Sequence, residues 1–388
     1  MRFIRWITFC VLLAVGFHAS CMMTEANCKL FGQTAHNNPA NLYVASLSVG
    51  SGECHVVRKG DISVLIDAGF RCSWLTAQNC IAFISAMLSH EQPADPTWLG
   101  NEKIQIHPIK TFLTHSHGDH TNLIKDLIDE GIIQKTQTTT DQVSKARSIF
   151  FGGGKSRYLD GIKTLTGTSI SEGLHDFDDF SIRCFHVGKS ITTCKDEVNG
   201  HGAIMSLNFG NRIFAFLGDM NGHPMSVNPI PGACLTTAQQ TAIADVLTTA
   251  DITTSPHHGS LTDGIPLIYN YLSSSTKKKP RIFIVSAAPC STGSATYPRI
   301  KRDLLPFIDA ASGTPATTVA QATTKTVFNH FLTCDIEPHD PTVRAWITNP
   351  LFSTYDAPSG FVWTRIEPNG CISIHGGTAF QAVLPALH

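Results

Sequence analysis

Between Thr114 and His120 the chain places four side chains able to ligate a metal, His115, His117, Asp119 and His120, within six residues. An apolar stretch, residues 109–113, comes before them, and Leu123, Ile124, Leu127 and Ile128 follow at helical spacing. A run of this kind fits a strand that ends, turns and feeds a helix. On the strand end His115 and His117 share one side, because side chains repeat with period two. Gly118 lets the backbone turn tightly, so that Asp119 and His120 can point at a second ion. Neutral imidazole and carboxylate suit zinc or a similar divalent cation. A solvated polar loop is the alternative, and the density of ligands directly after an apolar strand speaks against it.

The remaining pattern predicts the scaffold around that run. After a polar, Asn-rich segment at 36–41, alternating apolar stretches at 42–49, 54–58 and 62–66 are separated by Gly50-Ser51-Gly52 and Lys59-Gly60-Asp61, which predicts an antiparallel meander. A helix is predicted over 76–89, then a Pro-containing loop. Residues 135–179 are rich in Thr, Gly and Ser and read as a surface excursion. Strands are expected at 180–187, 203–209 and 212–217, a helix at 236–248, and a short strand running into Ser255–Ser260. Helices at 265–272 and 297–308 flank a strand at 281–286, and strands at 361–366 and 371–375 close the chain. Strands grouped at both ends with helices between them predict an α+β fold, an αββα four-layer sandwich. No Pro- or Ser-rich linker and no internal repeat divides the chain, so one domain over 38–388 is expected, with insertions near 135–179 and 310–349.

The run His115-Ser116-His117-Gly118-Asp119-His120 resembles the HxHxDH signature of the metallo-β-lactamase superfamily. Within it, the chain is most similar to the hydrolase domain of bacterial DNA-uptake (competence) channel proteins and their secreted relatives. Val49-Gly50-Ser51-Gly52-Glu53 resembles that group's early glycine turn, and Leu65-Ile66-Asp67-Ala68-Gly69 follows it as expected. Phe216-Leu217-Gly218-Asp219 resembles its strand-end Gly-Asp, Pro256-His257-His258-Gly259-Ser260 its His-His turn, and Trp363-Thr364-Arg365 with Gly370 and Ile372 its closing strands. The likeness implies a metallo-β-lactamase fold holding two divalent ions, Zn2+ first and Mn2+ as the other choice. His115 and His117 would hold the first ion, Asp119, His120 and His258 the second, and Asp219 would bridge them. His257 is either a ligand in exchange with His258 or a proton donor facing substrate. At 199–202 the competence group carries an Asn/Ser-rich turn, whereas this chain has Asn199-Gly200-His201-Gly202. Other superfamily members place a third histidine there, so His201 is assigned to the first ion.

The implied activity is metal-dependent hydrolysis with Asp119 and His257 in catalytic roles. A phosphodiesterase acting on nucleic acid, a nucleotide or a phosphorylated surface polymer is the first expectation. Lactone, β-lactam or amide hydrolysis is the alternative, since fold alone does not decide chemistry, and a metal-binding module without turnover is the second. The 29 Lys+Arg nearly cancel the 30 Asp+Glu, so no global field draws the chain to nucleic acid, and such a substrate would have to be held locally. Residues 1–20 read as a secretory signal peptide: Arg2 and Arg5 precede an apolar run at 7–17 and small residues at Ala19 and Ser20. That run is shorter than the roughly 20 residues a bilayer requires, so periplasmic or extracellular release without stable membrane insertion is expected. Cys21 sits where a lipoprotein cysteine would, but His18 occupies the place such signals give to leucine. Of the 12 cysteines Cys10 would leave with the signal, and export would make disulfides of the rest more expected than thiols; Cys72 with Cys80 and Cys184 with Cys194 could close small loops. Gly152-Gly153-Gly154-Lys155-Ser156 lacks the first glycine of a phosphate loop, Ile149 standing there. Lys277-Lys278-Lys279 reads as a solvated loop, and His55, His186, His223 and His339 as packing or surface residues.

Overall fold

The computed structural model describes residues 23–47, 49, 52–71, 75–93, 101–134, 148–151, 167–169, 173–185, 202–219, 237–254, 256–259, 282–285, 329–332, 354–356, 361–376 and 379–384. In chain order they form α1 (Glu25–Asn37), β1 (Leu42–Leu47), β2 (Cys54–Lys59), β3 (Ile62–Ala68), α2 (Ala77–Met87), β4 (Ser89–Pro93), β5 (Asn101–Gln105), β6 (Lys110–Leu113), α3 (Gly118–Thr121) and α4 (Ile124–Asp129). Then come β7 (Ser148–Phe151), β8 (Gly167–Ser169), β9 (Gly173–Asp176), β10 (Ser181–Cys184), β11 (Met205–Phe209), β12 (Arg212–Phe216), α5 (Thr237–Thr249), β13 (Ile252–Thr254), a short turn of 3-10 type at Pro256–Gly259 and β14 (Ile282–Val285). β15 (Asn329–Leu332), β16 (Thr354–Asp356), β17 (Phe361–Ile366), β18 (Ile372–Gly376) and β19 (Ala379–Leu384) complete the set.

Among the described residues the strands assemble into two large sheets, ordered β19-β18-β17-β1-β2-β3-β6-β7-β8 and β16-β15-β14-β13-β12-β11-β10-β9, with β4 and β5 a separate hairpin. Alternation along the first sheet decides the layers. Leu42 and Val44 of β1, Val57 of β2, Val64 and Ile66 of β3 and Val362 of β17 share one buried cluster with Ile182, Met205, Leu207, Phe214, Phe216, Ile252 and Ile284 of the second sheet. The intervening Tyr43, Ala45, Val56, Leu65, Phe361 and Trp363 face the other way, into a cluster with α1, α2 and α4. A strand buried on both faces therefore carries apolar residues of both parities, which is why these strands read as near-continuous apolar runs. On the second sheet α5 buries Ile243, Val246 and Leu247 and packs against β12. The result is the αββα sandwich that the sequence predicts. Arg212 locks the sheets together: it pairs with Asp251 at 2.9 Å and donates from Nε to the Gly370 carbonyl at 2.7 Å, in the β17–β18 turn.

Several elements depart from the sequence reading. The packed body begins upstream of residue 38, because α1 is helical: Thr24 caps it by accepting from the Asn27 amide at 3.2 Å, and Cys28, Phe31, Gly32 and Ala35 form its buried stripe. Phe31 meets Tyr43, Phe361 and Trp363 with ring centroids 5.5–6.4 Å apart. The Pro-containing loop after α2 is the β4–β5 hairpin, whose polar sequence hides its strands. The excursion at 135–179 supplies β7 and β8, parallel additions beside β6, and β9, which pairs with β10. β15 falls inside 310–349. The predicted signal segment, the helices at 265–272 and 297–308, the Gly152–Ser156 and Lys277–Lys279 loops, and His186, His223 and His339 lie outside the described residues. Among the described residues no helix is long and apolar enough to cross a membrane. No disulfide joins Cys28, Cys54, Cys184 or Cys371 to one another; burial pushes the Cys184 thiol up to about 12 and holds Cys54 well above the usual thiol range. Cys72 and Cys194, the expected loop partners, lie outside the described residues.

Candidate metal centre

One end of the sandwich gathers the chemistry. β3 and β6 run parallel, so Asp67 and His115 sit at neighbouring strand ends. β2 runs antiparallel to β3, which places Glu53, just before β2, beside the end of β3 (Cys54 opposite Ala68). β12 and β13 run parallel in the facing sheet and release Asp219 and the turn carrying His257 and His258. His117 occupies the N-cap position of α3, and Asp119 and His120 lie in its single turn.

Asp219 is the focus, 3% exposed and flanked by histidines on both oxygens. Its Oδ1 lies 3.1 Å from His120 Nε2 and 3.2 Å from His258 Nε2. Its Oδ2 lies 3.6 Å from His115 Nε2 and 3.8 Å from His257 Nε2. Burial alone would raise the Asp219 carboxyl, yet the charges of His120 and His258, with the close His115 and His120 imidazoles, hold it well below the usual carboxylate range. The reciprocal holds for His120: burial opposes its charge, but Asp219 and Asp67 win and raise it well above an ordinary imidazole. Burial, then the neighbouring His115, lowers His117, with Asp119 and Asp219 opposing the shift. The His117 ring stands 4.8 Å from that of His115.

Two acids that the sequence reading gave no role complete the site. Asp67, fully buried, accepts from the Thr114 amide and hydroxyl, each at 2.7 Å, and its Oδ2 lies 2.9 Å from His120 Nδ1. A carboxylate on Nδ1 fixes the tautomer that leaves Nε2 free to ligate. Glu53 is 1% exposed and both of its oxygens are without a hydrogen bond, 3.6 Å from His55 Nε2 at the nearest ion-pair contact. Its carboxylate also groups within 4.8 Å with Asp67 and His120, and with Asp219 and His258. The signals were present, since Asp67 interrupts an apolar strand and Glu53 stands between a glycine turn and an apolar strand.

Local backbone choices serve this convergence. A Cβ on Gly69 would fall 2.0 Å from the Asp119 carbonyl oxygen, so only glycine lets the ends of β3 and α3 approach this closely. His257 and His258 adopt φ of 47° and 53°, left-handed conformations that cost non-glycine residues roughly 1–2 kcal/mol each. The His257 amide donates to the Gly218 carbonyl at 3.0 Å, pinning the turn to the strand end that carries Asp219.

The residues fit a divalent cation. Zinc–ligand distances of about 2.0–2.1 Å in a tetrahedron separate neighbouring ligand atoms by roughly 3.3–3.4 Å, and the four Asp219–imidazole distances scatter around that value. His115 Nε2 and both Glu53 oxygens are buried without hydrogen bonds, a cost that ligation or a nearby cation removes. His115, His120 and Asp219 form one group whose ligand atoms lie within 4.8 Å of one another. His117 and Asp119 lie beside it, and Asp119 Oδ2 is 3.5 Å from Arg71. His201 lies outside the described residues; two positions later, the Ala203 amide donates to the Thr114 carbonyl at 2.8 Å. His55 is a core residue, bonded to Ser46 Oγ at 2.9 Å and set against the Phe216 ring.

No protein-family profile matches the chain, and no curated protein does. Among solved structures it is similar to the metallo-β-lactamase-fold protein YhfI from Bacillus subtilis, at 13% identity over 55% of this chain and 70% of the other, with a TM-score of 0.29. It is also similar to a diphosphatase of the PhnP family, at 10% identity over 64% and 88% with a TM-score of 0.35. Zn2+-bound PqqB from Methylobacterium extorquens matches at 11% identity over 55% and 71%, TM-score 0.32. These superpositions all score below 0.5, and the fold stands on its own strand order and facing sheets.

Proposed function

We propose that the chain is an exported, dinuclear metal-dependent hydrolase of the metallo-β-lactamase type, and that its substrates are phosphodiesters. The observation that carries this reading is the division of Asp219: one oxygen faces His120 and His258, the other His115 and His257. A carboxylate with a separate set of imidazoles on each oxygen is built to bridge two cations. His115 and His117 would hold one ion, joined by His201 from the segment before β11, and Asp119, His120 and His258 the other. When bound, the two ions would lower the pKa of water between them and neutralise charge growing on the phosphoryl oxygens.

The protein's own residues then divide the work. Asp67 orients His120, and the Asp219 carboxylate sets the spacing of the two imidazole groups. His257, one-fifth exposed and on the His115 side of Asp219, is placed to donate a proton to the leaving oxygen. Asp119, partly open beside Arg71, lies where it can orient the attacking water. Phosphoester chemistry is favoured by the resemblance of the Gly-Asp and His-His turns to the DNA-uptake group. Bis-p-nitrophenyl phosphate, single-stranded DNA and nitrocefin, each assayed with and without chelator, test the proposal. Chelator-sensitive turnover of either phosphodiester is expected; turnover of nitrocefin alone would move the assignment to amide or lactam hydrolysis, and turnover of none by the metal-loaded protein would leave a binding module.

A further inference from the structure

The residues around Asp219 are unevenly covered, and the difference marks the open side of the centre. His115, His120 and Asp219 are buried, whereas Asp119, His257 and His258 keep part of their side chains open to solvent. Arg71 stands on that open side: its Nη1 lies 3.5 Å from Asp119 Oδ2, and its side chain is 73% exposed. The separation is longer than the roughly 2.7–2.9 Å of a charge-assisted hydrogen bond. The guanidinium therefore leans on the carboxylate without closing onto it, with most of its surface in water.

The backbone beneath this arginine is tied to the ligand segment. The Arg71 amide donates to the Val49 carbonyl at 2.8 Å. One residue earlier, the Phe70 amide donates to Asn122 Oδ1 at 3.0 Å, and the Phe70 carbonyl accepts from Asn122 Nδ2 at 2.8 Å. Asn122 is the C-cap of α3, the turn that carries Asp119 and His120. The Leu123 amide, next in the chain, donates to the Ala68 carbonyl at 3.0 Å. Arg71 is thus held by the same fastening that sets the ligand turn against the end of β3, so its backbone keeps a fixed place beside Asp119 although its tip is exposed.

Charge gives that place its meaning. Glu53, Asp67, Asp119 and Asp219 bring four acids to the centre, about the negative charge that two divalent ions would neutralise, and the whole chain has a formal net charge of -1. A phosphodiester anion gains nothing from such a global field and needs a local cation. The planar fork of arginine suits this task, because it can meet two phosphoryl oxygens at once. We propose that Arg71 is a substrate-binding residue that donates to the non-bridging oxygens of a phosphodiester at the mouth of the centre, an assignment that rests on the phosphodiesterase reading. A diester carries its negative charge before reaction as well as during it. The contact therefore holds ground state and transition state alike, and its loss raises KM while kcat is kept.

The test uses the full chain, loaded with zinc and freed of excess by gel filtration, with the substitutions Arg71→Gln and Arg71→Lys. Inorganic phosphate, titrated calorimetrically, is expected to bind about tenfold more weakly to Arg71→Gln than to the parent. Arg71→Lys, which keeps the charge and loses the fork, should fall between the two. With bis-p-nitrophenyl phosphate as substrate, KM of Arg71→Gln should rise about tenfold with kcat within about threefold of the parent, and zinc content should match the parent because no ligand is removed. Phosphate affinity and KM equal to the parent's in Arg71→Gln, the result of an arginine that only pairs with Asp119, overturn the role. A fall in kcat at unchanged KM, or phosphate binding lost only together with zinc, overturns it as well. If the loaded parent hydrolyses no phosphodiester, the phosphodiesterase reading fails, and the phosphate titration still decides whether Arg71 holds the anion.

Discussion

Replacing Asp67 by Asn probes how the centre is held. The substitution is nearly isosteric, and asparagine tolerates the left-handed backbone that Asp67 adopts at φ 52°, so the fold is left intact. Asp67 Oδ1 accepts the Thr114 amide, while Oδ2 faces the Thr114 hydroxyl and His120 Nδ1. An asparagine can offer its oxygen to only one side. If the oxygen keeps the Thr114 amide, the new NH2 meets His120 Nδ1 and drives the ring to the tautomer with its hydrogen on Nε2, the nitrogen 3.1 Å from Asp219. If it keeps His120, two N–H groups are opposed at Thr114. Either way metal affinity falls, by the 10–100-fold typical of lost carboxylate support behind a histidine ligand, or about 1.4–2.7 kcal/mol. Competition with a chromogenic chelator measures that change directly, with circular dichroism as the check on folding. Zinc affinity equal to that of the parent would refute the proposed role of Asp67 and with it the ligating tautomer of His120.

Three further outcomes are expected. His117→Ala or Asp119→Ala should abolish chelator-sensitive hydrolysis, by at least a hundredfold in kcat/KM, while the far-UV circular dichroism spectrum stays that of the parent; retained activity in either would count against the site. Without metal, the raised His120 contributes stability that is complete below its ordinary value of 6.5 and is lost as pH rises through its raised value, whereas the lowered Asp219 contributes stability present above 3.8 and lost as pH falls through its lowered value. Metal-free melting temperature should therefore be highest between about pH 4 and 6.5, and zinc binding at neutral pH should expel close to one proton, read by titration calorimetry in two buffers of different ionisation enthalpy; zinc binding without proton release would contradict the His120 assignment. Arg212→Met removes the guanidinium paired with the buried Asp251 at 2.9 Å and should cost about 3–5 kcal/mol in urea unfolding, with metal affinity unchanged.

What could be read from the sequence depended on whether one residue's surroundings were local. The strands of the central meander and α2 announced themselves through alternation and helical spacing, and the ligand run through its crowding at a strand end. α1 was written in the spacing of Cys28, Phe31, Gly32 and Ala35, but its polar remainder and its place near the N-terminus hid it. The short strands β7 to β9, at the margins of the two sheets, carry too little apolar alternation to stand out, since their pairing partners rather than their composition hold them. Glu53 and Asp67 were visible as acids in apolar surroundings, yet their part in the centre depends on the β2–β3 register and the approach of α3 at Gly69, which only three dimensions supply. The division of the two Asp219 oxygens, and the placing of His257 on the His115 side, depend on the facing of two sheets.

A crystal structure of the zinc-loaded protein with anomalous data collected across the zinc edge tests the central claim most directly. Two anomalous peaks a few ångströms apart, one on each oxygen of Asp219 and within ligand distance of His120 and of His115, are the predicted result. A map with no peak in contact with Asp219, at full zinc occupancy elsewhere, would contradict it.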